Sequence, residues 1–203
     1  MWPVRSSVAQ GQTPRPVQHA DRGFAGVGVL SARDDSVNRV RFRDEGASRV
    51  FLVEADVFRV GRAGFGVELS NLGTVTGRYD TLCCILRDEQ KEISLLGVLR
   101  ERVWRTNRVA VDIMGGAGVL LQHRETSVAN RFAPAATAIE TIEDRRSPAF
   151  ALGIDVPLLL ARHVALAPEV RLYCAQRGTL NTANVTRASS QRPAVGLSGR
   201  VVW

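Results

Sequence analysis

The sequence predicts an all-β protein, an eight-stranded antiparallel up-and-down transmembrane β-barrel. Three features predict it. Extended segments repeatedly set an apolar face against a face of Gly, Ala and ionised residues, and short and long connections alternate along the chain. The last segment, Arg192 to Trp203, alternates to its final residue. Successive strand side chains point to opposite faces, so Pro193, Val195, Leu197, Val201 and Trp203 share one side of it, and Arg192, Ala194, Gly196, Ser198 and Arg200 the other. Termini normally fray, and a strand that closes on an aromatic suits an anchor at a membrane interface. A soluble barrel or sandwich would bury its bulky apolar face and show Lys, Glu and Thr outside.

Taken in order, residues 1–22 read as a flexible lead-in ahead of a barrel domain over 23–203. Ser7-Val8-Ala9 before Gln10 resembles a signal-peptide cleavage site, yet Met1 to Gln10 contains no apolar core. Two readings stay open there, the remnant of a longer signal peptide and a short disordered leader. The first strand lies near Phe24 to Leu30 and is Gly-rich. In the second, Phe51, Val53, Ala55 and Val57 oppose Leu52, Glu54, Asp56 and Phe58; in the third, Phe65, Val67 and Leu69 oppose Gly66, Glu68 and Ser70. The fourth sets Ile93, Leu95, Leu99 and Val103 against Ser94, Leu96, Val98, Arg100 and Arg102, with little contrast in its first half. Val109 to Leu121 forms the fifth, with Asp112, Met114, Gly116, Gly118 and Gln122 on its polar or small face. The sixth, Phe150 to Leu160, sets Phe150, Leu152, Ile154, Val156, Leu158 and Leu160 against Ala151, Gly153, Asp155 and Pro157. The seventh sets Val164, Leu166, Pro168, Val170, Leu172 and Cys174 against Ala165, Ala167, Glu169, Arg171, Tyr173 and Ala175. Pro168 has no N–H to give a ladder and marks a bulge or a strand start.

Val60 to Ala63, Arg105 to Arg108 and Ala161 to His163 are hairpin turns. The remaining connections, Ala32 to Ala47, Asn71 to Glu92, Arg124 to Ala149 and Gly178 to Gln191, are long and polar. Short periplasmic turns and long extracellular loops, with strands of about 9–11 residues tilted across the bilayer, produce this alternation. Greek-key sandwiches do not.

Composition agrees. A chain of 203 residues, 45% hydrophobic, can fill one core. It has no apolar run long enough for a membrane helix. The net charge of +7 invites a nucleic-acid reading, but the arginines fall in turns (Arg59, Arg62, Arg105, Arg108, Arg162) or on inward faces, not on one patch interleaved with aromatics. Loop residues Arg124, Arg131, Arg145, Arg146, Arg177 and Arg187 are placed to meet anionic lipopolysaccharide, or simply to keep the loops solvated. Cys83 and Cys84 are adjacent in a long loop, Cys174 falls on the lipid face, and none has metal-site spacing. Phe51, Phe58, Phe65, Trp104, Phe150, Tyr173 and Trp203 would supply a thin aromatic girdle.

An eight-stranded barrel is just wide enough for side chains to fill it. Glu54, Asp56, Glu68, Asp112, Asp155 and Glu169 would then face Arg100, Arg102, Arg171, Arg192 and Arg200 at close range. Buried charges must be paired, since one left alone costs several kcal/mol, so the expectation is a salt-bridged plug instead of an aqueous pore.

The runs Val109 to Val119, Gly153 to Pro157, His163 to Arg171 and Arg192 to Leu197, with Phe65 to Leu69, resemble the small OmpA-like outer-membrane β-barrel domain family of bacteria. The resemblance covers roughly Gly23 to Trp203. It implies residence in the bacterial outer membrane and a non-enzymatic protein whose barrel anchors long loops for envelope integrity or surface binding, with at most weak conductance. It further implies a monomer in contact with outer-membrane lipids including lipopolysaccharide, and a C-terminal assembly signal in Val195, Leu197, Val201 and Trp203 for the barrel-assembly machinery. The family's usual last residue is Phe, where this chain has Trp203. No catalytic, cofactor or metal residue is expected, and no nucleic-acid partner. Two alternatives are kept. A lipid-modifying enzyme needs His, Ser and a carboxylate together, for which His123, Glu125 and Ser127 are the local candidates, with His123 at a loop end away from the other two. A soluble lipocalin-type barrel needs a large apolar cavity.

Overall fold

A computed structural model describes residues 23–32, 48–80, 82–130, 132, 139–179 and 186–203. Nine strand segments are β1 (Phe24–Ala32), β2 (Ser48–Val60), β3 (Ala63–Asp80), β4 (Cys84–Arg105), β5 (Ala110–Asn130), β6 (Ile139–Asp155), β7 (Leu158–Ala161), β8 (Val164–Thr179) and β9 (Thr186–Val202). Every pairing is antiparallel. The order β6-β5-β4-β3-β2-β1-β9-β8-β7 is closed by pairing of β6 with β8. Because β7 continues β6 beyond a break at Val156 and Pro157, the molecule is a closed eight-stranded up-and-down barrel, and closure removes the exposed sheet edges that invite aggregation.

The short turns close as their sequences dictate. Gly61 takes φ 59° between β2 and β3, where a residue with a Cβ is disfavoured. Thr106 holds the β4–β5 turn twice: its N–H donates to the Val109 carbonyl at 2.7 Å and its hydroxyl accepts the Val109 N–H at 3.1 Å. These turns define one end of the barrel, the turn end. Residues 1–22 and 33–47 lie outside the described part, so the lead-in, the cleavage-site resemblance and most of the first long connection do too.

Three of the expected long loops are largely strand. β3 runs to Asp80 and β4 starts at Cys84; β5 runs to Asn130 and β6 starts at Ile139; β8 runs to Thr179 and β9 starts at Thr186. The 22 residues of β4 and 21 of β5 exceed the roughly 9–11 needed to cross a bilayer. Beyond the bilayer both faces of a hairpin meet water, so polar residues on both sides erase the alternation while the backbone ladder persists. Cys83 and Cys84 consequently sit at a hairpin tip, with the Cys84 thiol donating to the Cys83 sulfur at 2.9 Å.

Bulges correct the facing near the turn end. Register shifts between Asp56 and Phe58, so Val57 and Phe58 both point outward. Phe58 therefore leaves the inward face expected for it and stacks on Phe65, ring centroids 4.9 Å apart. The same one-residue slip turns Arg59 inward, out of the turn the sequence suggested. Pro168 marks neither a bulge nor a strand start. It lies within β8, opposite Leu197 and between the ladder to β6, which ends at Asp155, and that to β7, which begins at Leu158. Its missing donor falls where the ladder is already interrupted, and its carbonyl accepts the Val156 N–H at 3.0 Å. Tyr173 belongs to the lumen, not to the girdle, being buried, whereas Trp104 and Trp203 are exposed at the turn end.

Outside, the belt is apolar: Val53, Val67, Leu95, Ile113, Val119, Leu152, Val170 and Val195 all stand exposed. Leaving such surface in water costs roughly 25 cal/mol for each Å² relative to hydrocarbon. A soluble lipocalin-type barrel would turn these residues inward.

Candidate functional site

Going up the strands from the turn end, the lumen is built in three layers. The first is ionic. Arg100 of β4 reaches Glu54 at 2.5 Å, Asp56 at 2.5 Å and Asp155 at 3.3 Å. Arg200 of β9 reaches Glu54 at 2.7 Å and Asp155 and Glu169 at 2.8 Å. Arg171 of β8 bonds Asp155 and lies 3.3 Å from Glu68, 3.1 Å from Glu169 and 3.6 Å from Glu54. All these side chains are buried. Phe24 lies beneath two guanidinium groups, 5.0 Å from that of Arg100 and 4.2 Å from that of Arg200, so its ring face meets positive charge.

Arg102 and Asp112 form a satellite. Two N–H groups of Arg102 donate to Asp112 at 2.8 and 3.0 Å. Arg59, missed in the sequence because the bulge was invisible there, joins this pair to the main cluster through Asp112 at 3.4 Å and Asp56 at 3.6 Å. Glycine makes room for the arginines. A Cβ on Gly153 would stand 2.8 Å from the Arg171 side chain, and one on Gly26 2.9 Å from Arg200 Cγ. That is the physical sense of Gly beside charge in a narrow lumen.

Hydroxyls complete the layer. Tyr173 and Ser70 each donate to Glu68 at 2.9 Å, and Ser198 donates to Glu169 and to Glu54. The polar-face alternation of the sequence carries a signal for all three, weaker than that of the ionised residues beside them. Oxygens of Glu54, Asp155 and Glu169 lie within 4.8 Å of one another, a spacing that would suit a metal ion. Arg200 already bridges all three, so guanidinium charge fills that role.

The second layer is apolar: Leu30, Val50, Leu52, Leu72, Leu96 and Leu120 are each at most 2% exposed. The third is polar. Arg192 stands here, apart from the ionic cluster with which it was grouped. It donates to the Leu72 carbonyl at 2.5 Å and lies 3.6 Å from Glu92. Glu92 also accepts Gln90 at 2.7 Å and Gln122 at 3.0 Å; in the sequence it closes a long polar stretch without alternation, which hides it. An ionic cluster, then hydrocarbon, then the Arg192–Glu92 pair with its two glutamine amides thus fill the described bore.

On the outside, above the belt, His123 lies within β5 and shares its face with Glu125, in contrast to the loop-end placement expected for it. Its Nδ1 lies 2.7 Å from Asp144 and its Nε2 3.1 Å from Glu125. Carboxylates occupy both ring nitrogens, and Ser127 is four residues along the strand, about 13 Å away, so these residues do not assemble a nucleophile and its base. The bond to Asp144 first, and that to Glu125 second, raise the His123 pKa above its ordinary value. Any stabilisation from these bonds is fully present below the unfolded-state value of about 6.5 and is lost as pH rises through the folded one. In an NMR titration the ring should show a midpoint above about 6.5, falling in Asp144→Asn; a midpoint at or below that value in the unsubstituted protein contradicts the arrangement.

No family model matches this chain, and no curated protein matches it. Among solved structures, the outer membrane protease OmpT from Escherichia coli is similar with a TM-score of 0.51 and 8% identity, covering 91% of this chain and 98% of that one. The outer membrane protein OprG from Pseudomonas aeruginosa gives 0.49 and 14% identity over 90% and 97%. A major outer membrane protein from Thermus thermophilus gives 0.49 and 10% over 88% and 99%. At such identities the likeness is one of fold, that of the bacterial outer-membrane β-barrel.

Proposed function

We propose that the protein resides in the bacterial outer membrane as a plugged, non-enzymatic barrel, short turns toward the periplasm, holding its long hairpins above the outer surface. The observation that carries this reading is the pairing of an apolar exterior with a bore that buried side chains fill among the described residues. An apolar belt needs hydrocarbon around it, and a bore crossed by Arg100, Arg171 and Arg200, each bonded to two or more carboxylates, leaves no water column for solutes. Its partners on this reading are outer-membrane lipids, and the barrel-assembly machinery through Val195, Leu197, Val201 and Trp203 of the final strand. The protein works as a monomer and takes no nucleic acid. The work of the molecule is mechanical and adhesive: it contributes to envelope integrity or surface binding through the hairpins.

Refolding from urea into lipid vesicles tests this. The unheated protein should migrate differently from the boiled one, with β-type circular dichroism only when amphiphile is present. In planar bilayers the refolded protein should give no conductance steps. Cooperative folding in plain buffer removes the membrane assignment, and regular ohmic steps remove the plug.

A further inference from the structure

One part of the apolar belt is hollow. On the outer face of β3 to β6 and β8 lies a groove of about 710 Å³. Phe65, Leu99, Phe150 and Leu152 wall it, and Gly97, Gly115 and Ala117 form its outward floor. Register explains the hollow. Gly97 is opposite Ala117, and Gly115 is two residues from Ala117 on the same outward face, so three small residues cluster on adjacent strands where the rest of the belt carries Leu, Ile, Val and Phe. The glycines are not required by close packing: a Cβ on Gly97 would meet nothing nearer than 3.8 Å, and one on Gly115 nothing nearer than 3.9 Å.

Directly above the groove stands a cation. Arg146 is exposed and opposite Leu121, the last large apolar residue of the β5 outer face. It lies four residues beyond Phe150 on the same face, about 13 Å along the strand. The next outward residue of β5 is His123, opposite Lys91, so this level is where hydrocarbon gives way to headgroups. The acids there are engaged: Asp144 and Glu125 by His123, and Glu89 by Lys91 at 3.4 Å. No carboxylate of the described residues pairs with Arg146, so its guanidinium is open to a phosphate at the headgroup level, where cationic side chains attract anionic lipid.

We propose that this face is a binding site for one anionic lipid, its phosphate at Arg146 and one acyl chain laid in the groove over Gly97, Gly115 and Ala117. The proposal rests on the reading of the protein as a membrane barrel. The recess is open and almost wholly apolar, and a flexible acyl chain can conform to it by dispersion contacts.

The test uses the full chain refolded into phosphatidylcholine vesicles containing phosphatidylglycerol, extracted in mild detergent and weighed by native mass spectrometry. One phosphatidylglycerol should stay bound per barrel in preference to phosphatidylcholine. The groove-filling double variant Gly97→Leu/Gly115→Leu should lose it, and Arg146→Gln should retain several-fold less, with the heat-sensitive gel shift intact in both. Equal retention in the variants, or equal retention of the two lipids, overturns the proposal. So does a cross-linked dimer that disappears on filling the groove, which assigns the recess to a second copy. Should the double variant not refold, Arg146→Gln decides alone, since it alters only an exposed side chain. A missing gel shift in the unsubstituted protein would instead count against the membrane barrel itself.

Discussion

Replacing Arg171 with methionine is expected to destabilise the folded barrel by about 3–5 kcal/mol, because removing one partner of a buried ion pair strands the other charge. Arg171 contacts Asp155, Glu68, Glu169 and Glu54, and its side chain has no exposure to solvent. Methionine matches much of its length but supplies no donor. The four carboxylates would then rely on Arg100 and Arg200, neither of which reaches Glu68 in the structure. Urea titration of the protein in vesicles, followed by tryptophan fluorescence, measures the loss. Two comparisons make the result specific. Arg102→Met should cost clearly less, since the Arg102 side chain is 18% exposed and pairs with Asp112 at the edge of the cluster. Adding Glu68→Gln to Arg171→Met should recover part of the loss, a coupling expected only of residues that share a network. Equal costs for Arg171→Met and Arg102→Met, or strict additivity in the double variant, would show that the cluster does not act as the lumen's keystone.

What the sequence disclosed follows the solvent each residue faces. Within the bilayer one strand face meets hydrocarbon and the other a lumen of small and charged groups, so the alternation through Val164 to Ala175 and Arg192 to Trp203 could be read directly. It identified ten ionised residues that the structure buries deeply, from Glu54 to Arg200, together with the partly exposed Arg102. Nothing in that pattern distinguishes the ionic layer from the polar one. Arg192 looked equivalent to Arg200, yet the apolar layer holding Leu30 and Leu72 lies between their levels in the bore. Pairing across the bore depends on shear and tilt, which a single strand does not encode. The bulge at Val57 was equally hidden, because Val57, Phe58 and Arg59 fit either phase until the turn at Gly61 fixes the register. Above the bilayer the contrast of faces disappears, and with it the strand signal for Glu92 and His123. The groove is hidden in the sequence for a related reason: Gly97, Gly115 and Ala117 are ordinary one at a time, and only the register sets them side by side.

Val170→Arg should cost about 2–4 kcal/mol, the range for a cation on the lipid face near the midplane. Val170 is 51% exposed and flanked by Ile154 and Val195, which are 49% and 59% exposed. It lies six residues from the start of β8 at the turn end, roughly 20 Å along a tilted strand, which places it well inside the hydrocarbon. Ala167→Ser is the matched control on the opposite face. Ala167 has no exposure, but its cross-strand partner is Ser198, whose hydroxyl can take up the new one, so the cost should stay below about 1 kcal/mol. The usual rule for water-soluble proteins runs the other way, with a polar group inside more harmful than a charge outside. Urea midpoints of both variants in vesicles therefore report which solvent surrounds the barrel. A small effect of Val170→Arg beside a large one of Ala167→Ser would mean that water wets the belt, and the membrane reading would fall with it.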